Sequence, residues 1–422
     1  MSRPNLLCTL ALLLPVAPAR AQHQEPPKAA AEQAVEPVAE QPAERVLEHD
    51  VAALVAACNR FAAALHREIA RDGPPTCSPA SIAIALHMLL PGARGETAEQ
   101  IARVLELPAE LTGDRLQAAM EELHAKLRFE GEEPHLRVTN DLWVQRGEEL
   151  LERYVDDVRQ AFGAAPHAVD FAGATEAARR AINAHVAEAT NDRIPELLTA
   201  EQLDASTRVV LTNAMWFKDA WLHPFGERAT EDRPFTLASG ERVEVPTMRV
   251  LDLFDFAETD TWRCVVLPFA SGRMQFELFV PAGDGALRDA EAALLGGAHL
   301  PVLENRSAQV RLPRFRTSSR FELQGALQRL GMTAAFGPGA DLSGMTGRRD
   351  LVVSQVVHEA WIDVDERGAE AAAATAVVIK RTAMPRAEVV FDADRPFAFG
   401  LRDRETGLLW FVGRVDDPRA AP

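Results

Sequence analysis

The segment Glu366–Ile379, E-R-G-A-E-A-A-A-A-T-A-V-V-I, limits what this chain can fold into more than any other stretch. Its alanines favour helix, while Thr375, Val377, Val378 and Ile379 favour strand. Read with a period of two, one face is Ala369, Ala371, Ala373, Thr375, Val377 and Ile379, which carries no charge. The other face is Glu370, Ala372, Ala374, Ala376, Val378 and Lys380, which carries all of it. Such a strand can bury its first face and leave the second towards water. Strong strand patterns already flank it at 352–365 and 387–391. The segment therefore reads as a long surface loop able to become a strand.

The chain around it has room for a large core. Of its 422 residues, 47 % are hydrophobic and 25 % charged, a soluble globular balance. The formal net charge is −17, and losing residues 1–21, with Arg3 and Arg20 and no acids, would make it −19. Nucleic acid and anionic membranes require clustered Lys and Arg, so neither is an expected partner.

The first 21 residues read as a cleavable signal peptide. Arg3 supplies a positive start, Leu6–Ala17 an apolar run too short to span a membrane, and Ala19-Arg20-Ala21 the small-x-small site. Export to a secreted or periplasmic location is the expectation. Residues 22–45, rich in Ala, Pro, Glu and Gln, read as a disordered tether. Cys58, Cys77 and Cys264 remain in the mature chain. A Cys58–Cys77 bond is possible, but buried free thiols are the expected state.

From residue 46 to 418 no linker or repeat appears. Helical spacing runs through 46–70, and Ser78-Pro79-Ala80-Ser81 caps an apolar helix from Ile82 to Leu89. Further helices fit the stretch after Thr97, residues 115–128, 175–188 and Phe321–Leu330. Strands fit Val209–Phe217, Cys264–Leu267, Phe276–Val280, Val310–Phe315, 387–391, 397–402 and 408–415, the last two joined at Thr406-Gly407. Helices first and strands later, with little βαβ alternation, indicate one α+β domain.

Catalytic motifs are missing. The sequence has no G-x-S-x-G, H-E-x-x-H, C-x-x-C or phosphate-loop pattern, so neither catalytic nor metal-binding residues are expected. His358 lies in an apolar strand pattern and reads as a core histidine with satisfied hydrogen bonds.

Motifs along the chain resemble those of the serpin family from about Val46 to Pro418. Besides the segment above they include S-P-A-S-I (Ser78–Ile82), G-A-R-G-E-T (Gly92–Thr97), L-T-N-A-M-W-F-K-D-A-W (Leu211–Trp221) and V-R-L-P-R-F (Val310–Phe315). L-G-M-T-A-A-F and A-D-L-S-G-M within Leu330–Met345, S-Q-V-V-H-E-A (Ser354–Ala360), R-P-F-A-F (Arg395–Phe399) and F-V-G-R-V (Phe411–Val415) follow in family order. His185 departs from the family by standing where tryptophan is usual, which reads as a local packing change. Ala369 replaces the commoner Thr or Ser at the first hinge position and stays small and uncharged.

The resemblance implies three sheets, about nine helices and an exposed reactive-centre loop. It also implies suicide inhibition of a serine or cysteine protease by a monomer, with no cofactor. In that scheme the loop is cleaved, an acyl-enzyme forms, and the loop inserts as a strand into the central sheet with the protease attached. Glu366, Gly368, Ala369, Glu370, Ala371, Ala372, Ala373, Ala374, Thr375 and Ala376 would form the hinge. Family spacing places the scissile bond at Thr382–Ala383, suiting an elastase-like or subtilisin-like target. Arg381–Thr382, suiting a trypsin-like target, is the alternative. Ser78, Ser81, Asn213 and His358 would form a polar cluster beneath the opening sheet, and Trp221 would sit where the hinge enters it. The competing reading is a non-inhibitory binding or chaperone module, whose hinge would be expected to carry bulky, charged or proline residues.

Overall fold

The computed structural model describes residues 42–73, 75–127, 135–163, 165–283, 285–296, 303–369 and 386–420. The stretch expected to be a signal peptide and nearly all of that expected to be a tether lie outside these. The first helix, α1 (Pro42–Ile69), begins a few residues earlier than expected, with proline at its first position, where the missing N–H costs nothing. It is followed by β1 (Thr76–Cys77), α2 (Pro79–His87), α3 (Gly95–Val104) and α4 (Gly113–Lys126). Ser78 caps α2: its hydroxyl accepts from the Ser81 N–H. Next come β2 (His135–Gln145), α5 (Glu152–Phe162), β3 (His167–Val169) and α6 (Phe171–Ala189).

The second half is mostly strand, as expected. It holds β4 (Val209–Ala220), β5 (Glu231–Thr236), β6 (Arg242–Glu258), β7 (Trp262–Pro268) and β8 (Met274–Pro281). After α7 (Leu287–Gly296) come β9 (Glu304–Pro313), β10 (Phe315–Glu322), α8 (Gln324–Leu330) and α9 (Ser343–Thr346). The chain ends with β11 (Val353–Val364), β12 (Gly368–Ala369), β13 (Val389–Asp392), β14 (Phe397–Asp403) and β15 (Leu409–Val415). The stretch expected as one strand at Val310–Phe315 divides between β9 and β10, and Phe321 belongs to β10 instead of the helix after it.

One sheet has the strand order β10-β11-β12-β4-β2-β3. The remaining strands run β1-β15-β14-β8-β7-β6-β9-β13, with β5 also on β6. The 17-residue β6 joins what would otherwise be two sheets. Its residues 247–256 pair with β9, while 255–258 pair with β7.

Two apolar clusters fill the interior. The larger packs α1, α2 and α4 against the strands of the second half, with Phe61, Phe217, Phe276 and Phe399 fully buried. The smaller lies under α6, where Ile182 and Val186 join Val210, Ala214 and Trp216 of β4 and Val357 and Trp361 of β11. That cluster thus covers one face of the boundary between β4 and β11. Cys58, Cys77 and Cys264 are buried and unpaired. Burial pushes the Cys58 thiol up to about 12, so it stays a protonated core group.

Candidate functional site: the seam between β4 and β11

Strands β4 and β11 are parallel neighbours, with Val356 opposite Leu211, His358 opposite Asn213 and Trp361 opposite Trp216. At the far end of this seam the chain turns back. A tight turn at 365–368 is held by Asp365, whose backbone N–H donates to the Gly368 carbonyl at 3.0 Å and whose carboxylate accepts from the Arg367 N–H at 2.7 Å. The returning residues form β12 and sit between the two strands. Ala369 pairs with Val364 of β11 and with Asp219 of β4, and Gly368 pairs with Ala220, all antiparallel. Gly368 and Ala369, read as hinge residues, therefore lie between the two strands at one end of the seam. Ala369 is fully buried, consistent with the uncharged face assigned to it. Gly368 is required there, because a Cβ would lie 2.0 Å from the Asp219 carbonyl oxygen.

Glu366 anchors the turn. Its carboxylate accepts from Arg314 Nε at 2.8 and 2.9 Å, from Arg314 Nη2, and from the Thr230 hydroxyl. Burial works to raise this carboxyl, but the bonds from Arg314 and Thr230 outweigh it and hold it below the ordinary value. Trp221 lies beneath. Its indole Nε1–H donates to the Asp365 carbonyl at 2.9 Å, its backbone N–H to Arg367 at 2.8 Å, and its ring stacks on Phe269 at 4.6 Å.

Midway down the seam a buried polar network bridges the strands. His358 Nδ1–H donates to Asn213 Oδ1, and His358 Nε2 accepts from the Ser78 N–H at 3.0 Å. The Ser81 hydroxyl donates to Asn213 Oδ1 at 2.8 Å, and the Asn213 amide donates to Asn140 of β2. Four elements (α2, β2, β4 and β11) are thus tied through one asparagine. The network fixes His358 as a neutral ring with its proton on Nδ1. Burial lowers its pKa to about 3. The structure accordingly brings Ser78, Ser81, Asn213 and His358 together, and Trp221 against the hinge. The hinge positions Glu370, Ala371, Ala372, Ala373, Ala374, Thr375 and Ala376, and Arg381, Thr382 and Ala383 at the proposed cleavage point, lie outside the described residues.

This geometry coincides with what comparison with known proteins finds. Residues 56–418 match the profile of the serpin (serine protease inhibitor) family. The chain belongs to the serpin family. A serpin-like protein of Thermococcus kodakarensis is 36 % identical over 373 residues, covering 87 % of this chain and 86 % of its own. The leukocyte elastase inhibitor of Sus scrofa is 34 % identical, covering 86 % of this serpin and 99 % of itself. The crystal structure of Serpin48 of the insect Tenebrio molitor superposes with a TM-score of 0.77 at 31 % identity, covering 86 % and 98 % of the two chains.

Sequence reasoning missed several members of this serpin's polar architecture. Arg314 and Thr230, which fix Glu366, had no assigned role, although Arg314 lies inside a family motif. Asn140 was hidden in a strand that was not recognised. His185, read as a local packing change, meets Trp143 edge-on, and beyond that its Nε2 lies 3.1 Å from the carboxylate of Asp141, which also meets His167.

Proposed function

We propose that this serpin is an exported suicide inhibitor of serine proteases, in which the cleaved loop after Ala369 inserts between β4 and β11. The observation that carries the reading is the position of β12. A strand continuing from it would run antiparallel to both neighbours and convert a parallel boundary, the less stable pairing, into two antiparallel ones. Hinge composition supports it: the face that would be buried carries no charge, so insertion would avoid a buried-charge penalty of several kcal/mol, on the order expected for an unpaired ion. Bulky, charged or proline residues on the face that would be buried, which would favour a pure binding role, are not what the sequence has.

Thr382–Ala383 is the proposed bait bond, for a protease that accepts small side chains, and Arg381–Thr382 is the competitor. The elastase inhibitor among the relatives fits a small-residue target. Incubation with elastase-like, subtilisin-like and trypsin-like enzymes is the test. A covalent complex should survive denaturing electrophoresis, and the released C-terminal peptide should begin at Ala383. A peptide beginning at Thr382 would move the bond, and simple turnover with every enzyme would remove the inhibitory reading. Nicked protein should also melt well above intact protein, because insertion completes the sheet. Export predicts that the mature chain begins at Gln22, which N-terminal sequencing reads directly.

A further inference from the structure

We propose that Asp141, His167 and His185 form a binding site for a divalent transition-metal ion, zinc foremost. The three residues come from three elements, β2, β3 and α6, and their ligand atoms all lie within 4.8 Å of one another. Nε2 of His167 and Nε2 of His185 each sit 3.1 Å from the same oxygen, Asp141 Oδ1. Zinc bonds of about 2.0–2.1 Å to imidazole and carboxylate imply ligand–ligand edges of roughly 3.3 Å in a tetrahedron. Two edges are therefore already close to that length, and the third, between the imidazoles, lies within 4.8 Å.

The surroundings are built to hold this arrangement. Trp143 stacks on His167 with ring centres 4.4 Å apart and meets His185 edge-on at 5.4 Å. Its own indole N–H is fixed by the Thr212 hydroxyl at 2.8 Å, so the wall cannot easily turn. Asp141 is almost fully buried, and its second oxygen accepts from the Thr139 hydroxyl, which fixes the orientation in which the first oxygen faces the imidazoles. The two imidazoles are 37 % and 39 % exposed, so an ion can reach them from solvent. A groove of about 450 Å³, lined by Asp141, His185, Thr139 and His124, opens beside them. Each ring would keep its one proton on Nδ1 and offer the Nε2 lone pair, and the carboxylate would supply the charge. Two imidazoles and one carboxylate suit zinc over calcium or magnesium, which prefer oxygen-only sets.

An ion here would tie α6 to β2 and β3. Because α6 also covers the boundary of β4 and β11 through Ile182 and Val186, the ion would act as a brace on the region that must part. That consequence rests on the proposed insertion; the binding site does not.

The test is equilibrium dialysis and calorimetry of the full chain, stripped by chelator, with zinc and with cobalt(II). One zinc per chain is expected, with affinity at least about tenfold lower in His167→Ala and His185→Gln and lost in the double variant. Cobalt should give a visible absorption band in the parent protein that disappears in either variant. Unchanged metal-free melting curves would show that the variants fold. Absence of stoichiometric zinc binding, or undiminished binding in the folded double variant, would overturn the proposal. Protease-complex formation, measured on the same samples without metal, separates this outcome from failure of the inhibitory reading.

Discussion

Acidification from pH 7 to pH 5 should cost the fold about 4 kcal/mol through two buried histidines that are held neutral, well before most carboxylates titrate. In His358 the reason is geometric as well as dielectric. Nε2 already accepts from the Ser78 N–H, so a proton there would set donor against donor inside a dry cluster. His87, at the end of α2, is buried with no partner for Nε2 among the described residues, and burial lowers its pKa to about 4. In the unfolded chain both rings return to about 6.5. The folded value is thus the lower of the two. The stabilising contribution is complete above pH 6.5 and is lost progressively as pH falls towards 3–4. At pH 5 each excluded proton costs the fold about 2 kcal/mol relative to pH 7. Glu359, next to His358, works in the opposite sense. Burial raises its carboxyl, so the native state takes up that proton first and gains stability at the acid end.

The assay is the guanidinium midpoint and slope of the first unfolding transition at half-unit pH steps. His358→Gln and His87→Gln will each lower absolute stability, but the informative quantity is the pH slope, which should fall by about half in each. A parent protein equally stable at pH 7 and pH 5 would refute the reasoning, as would single variants whose slopes match the parent. His358 also bridges the β4–β11 seam, so on the proposed inhibitory mechanism acid should speed uncatalysed loop insertion, read as loss of protease-complex formation on standing.

Three further outcomes follow from the hinge. Glu366→Gln should cost about 1–3 kcal/mol in denaturant unfolding, since it removes the charge from a hydrogen-bonded pair whose Arg314 partner is half exposed; because the Glu366 carboxyl is held below its ordinary value near 4.5, this difference should be present above that pH and shrink as pH falls through the lowered folded value. Gly368→Ala should force β12 off β4, because its Cβ meets a backbone oxygen that cannot yield, and gels should then show more cleaved serpin and less covalent complex per protease added. Thr375→Arg, three alternations beyond buried Ala369 on the same face, should leave the loop cleavable but abolish the complex; full inhibition by that variant would mean the face is wrongly assigned.

What the sequence disclosed, and what it concealed, divides along physical lines. Strands β4 and β11 were legible because they are long apolar runs, and α2 because its serine cap and proline precede an apolar stretch. Strand β2 was not, because its middle reads Thr139-Asn140-Asp141 and breaks the alternation that marks a half-buried strand. Those residues are polar for a local reason: Asn140 completes the Asn213 network and Asp141 meets two histidines. Helix α5 buries Tyr154, Val158, Ala161 and Phe162, a helical spacing present in the sequence but interrupted by five charges. The partners of Glu366 and Asp141 could not be found by spacing at all, since Arg314 lies 52 residues from Glu366, and His167 and His185 lie 26 and 44 residues from Asp141.

The seam explains why the buried polar groups fall where they do. A purely apolar boundary between β4 and β11 would close tightly and have no reason to admit another strand. Here its centre is a network whose members each hold directional bonds: Asn213 accepts from two donors, and His358 both donates and accepts. Leaving any one of these unpaired would cost about 1–3 kcal/mol, so the closed state is well defined. A strand entering between β4 and β11 would take over their backbone hydrogen bonds, since it brings a donor and an acceptor at every residue, whereas the His358–Asn213 bond across the seam would be broken. In the proposed insertion the backbone bonds of the seam would thus be exchanged and the side-chain network would be what resists opening, while Gly368 and Ala369, already paired on both sides, would set the register of the entering strand.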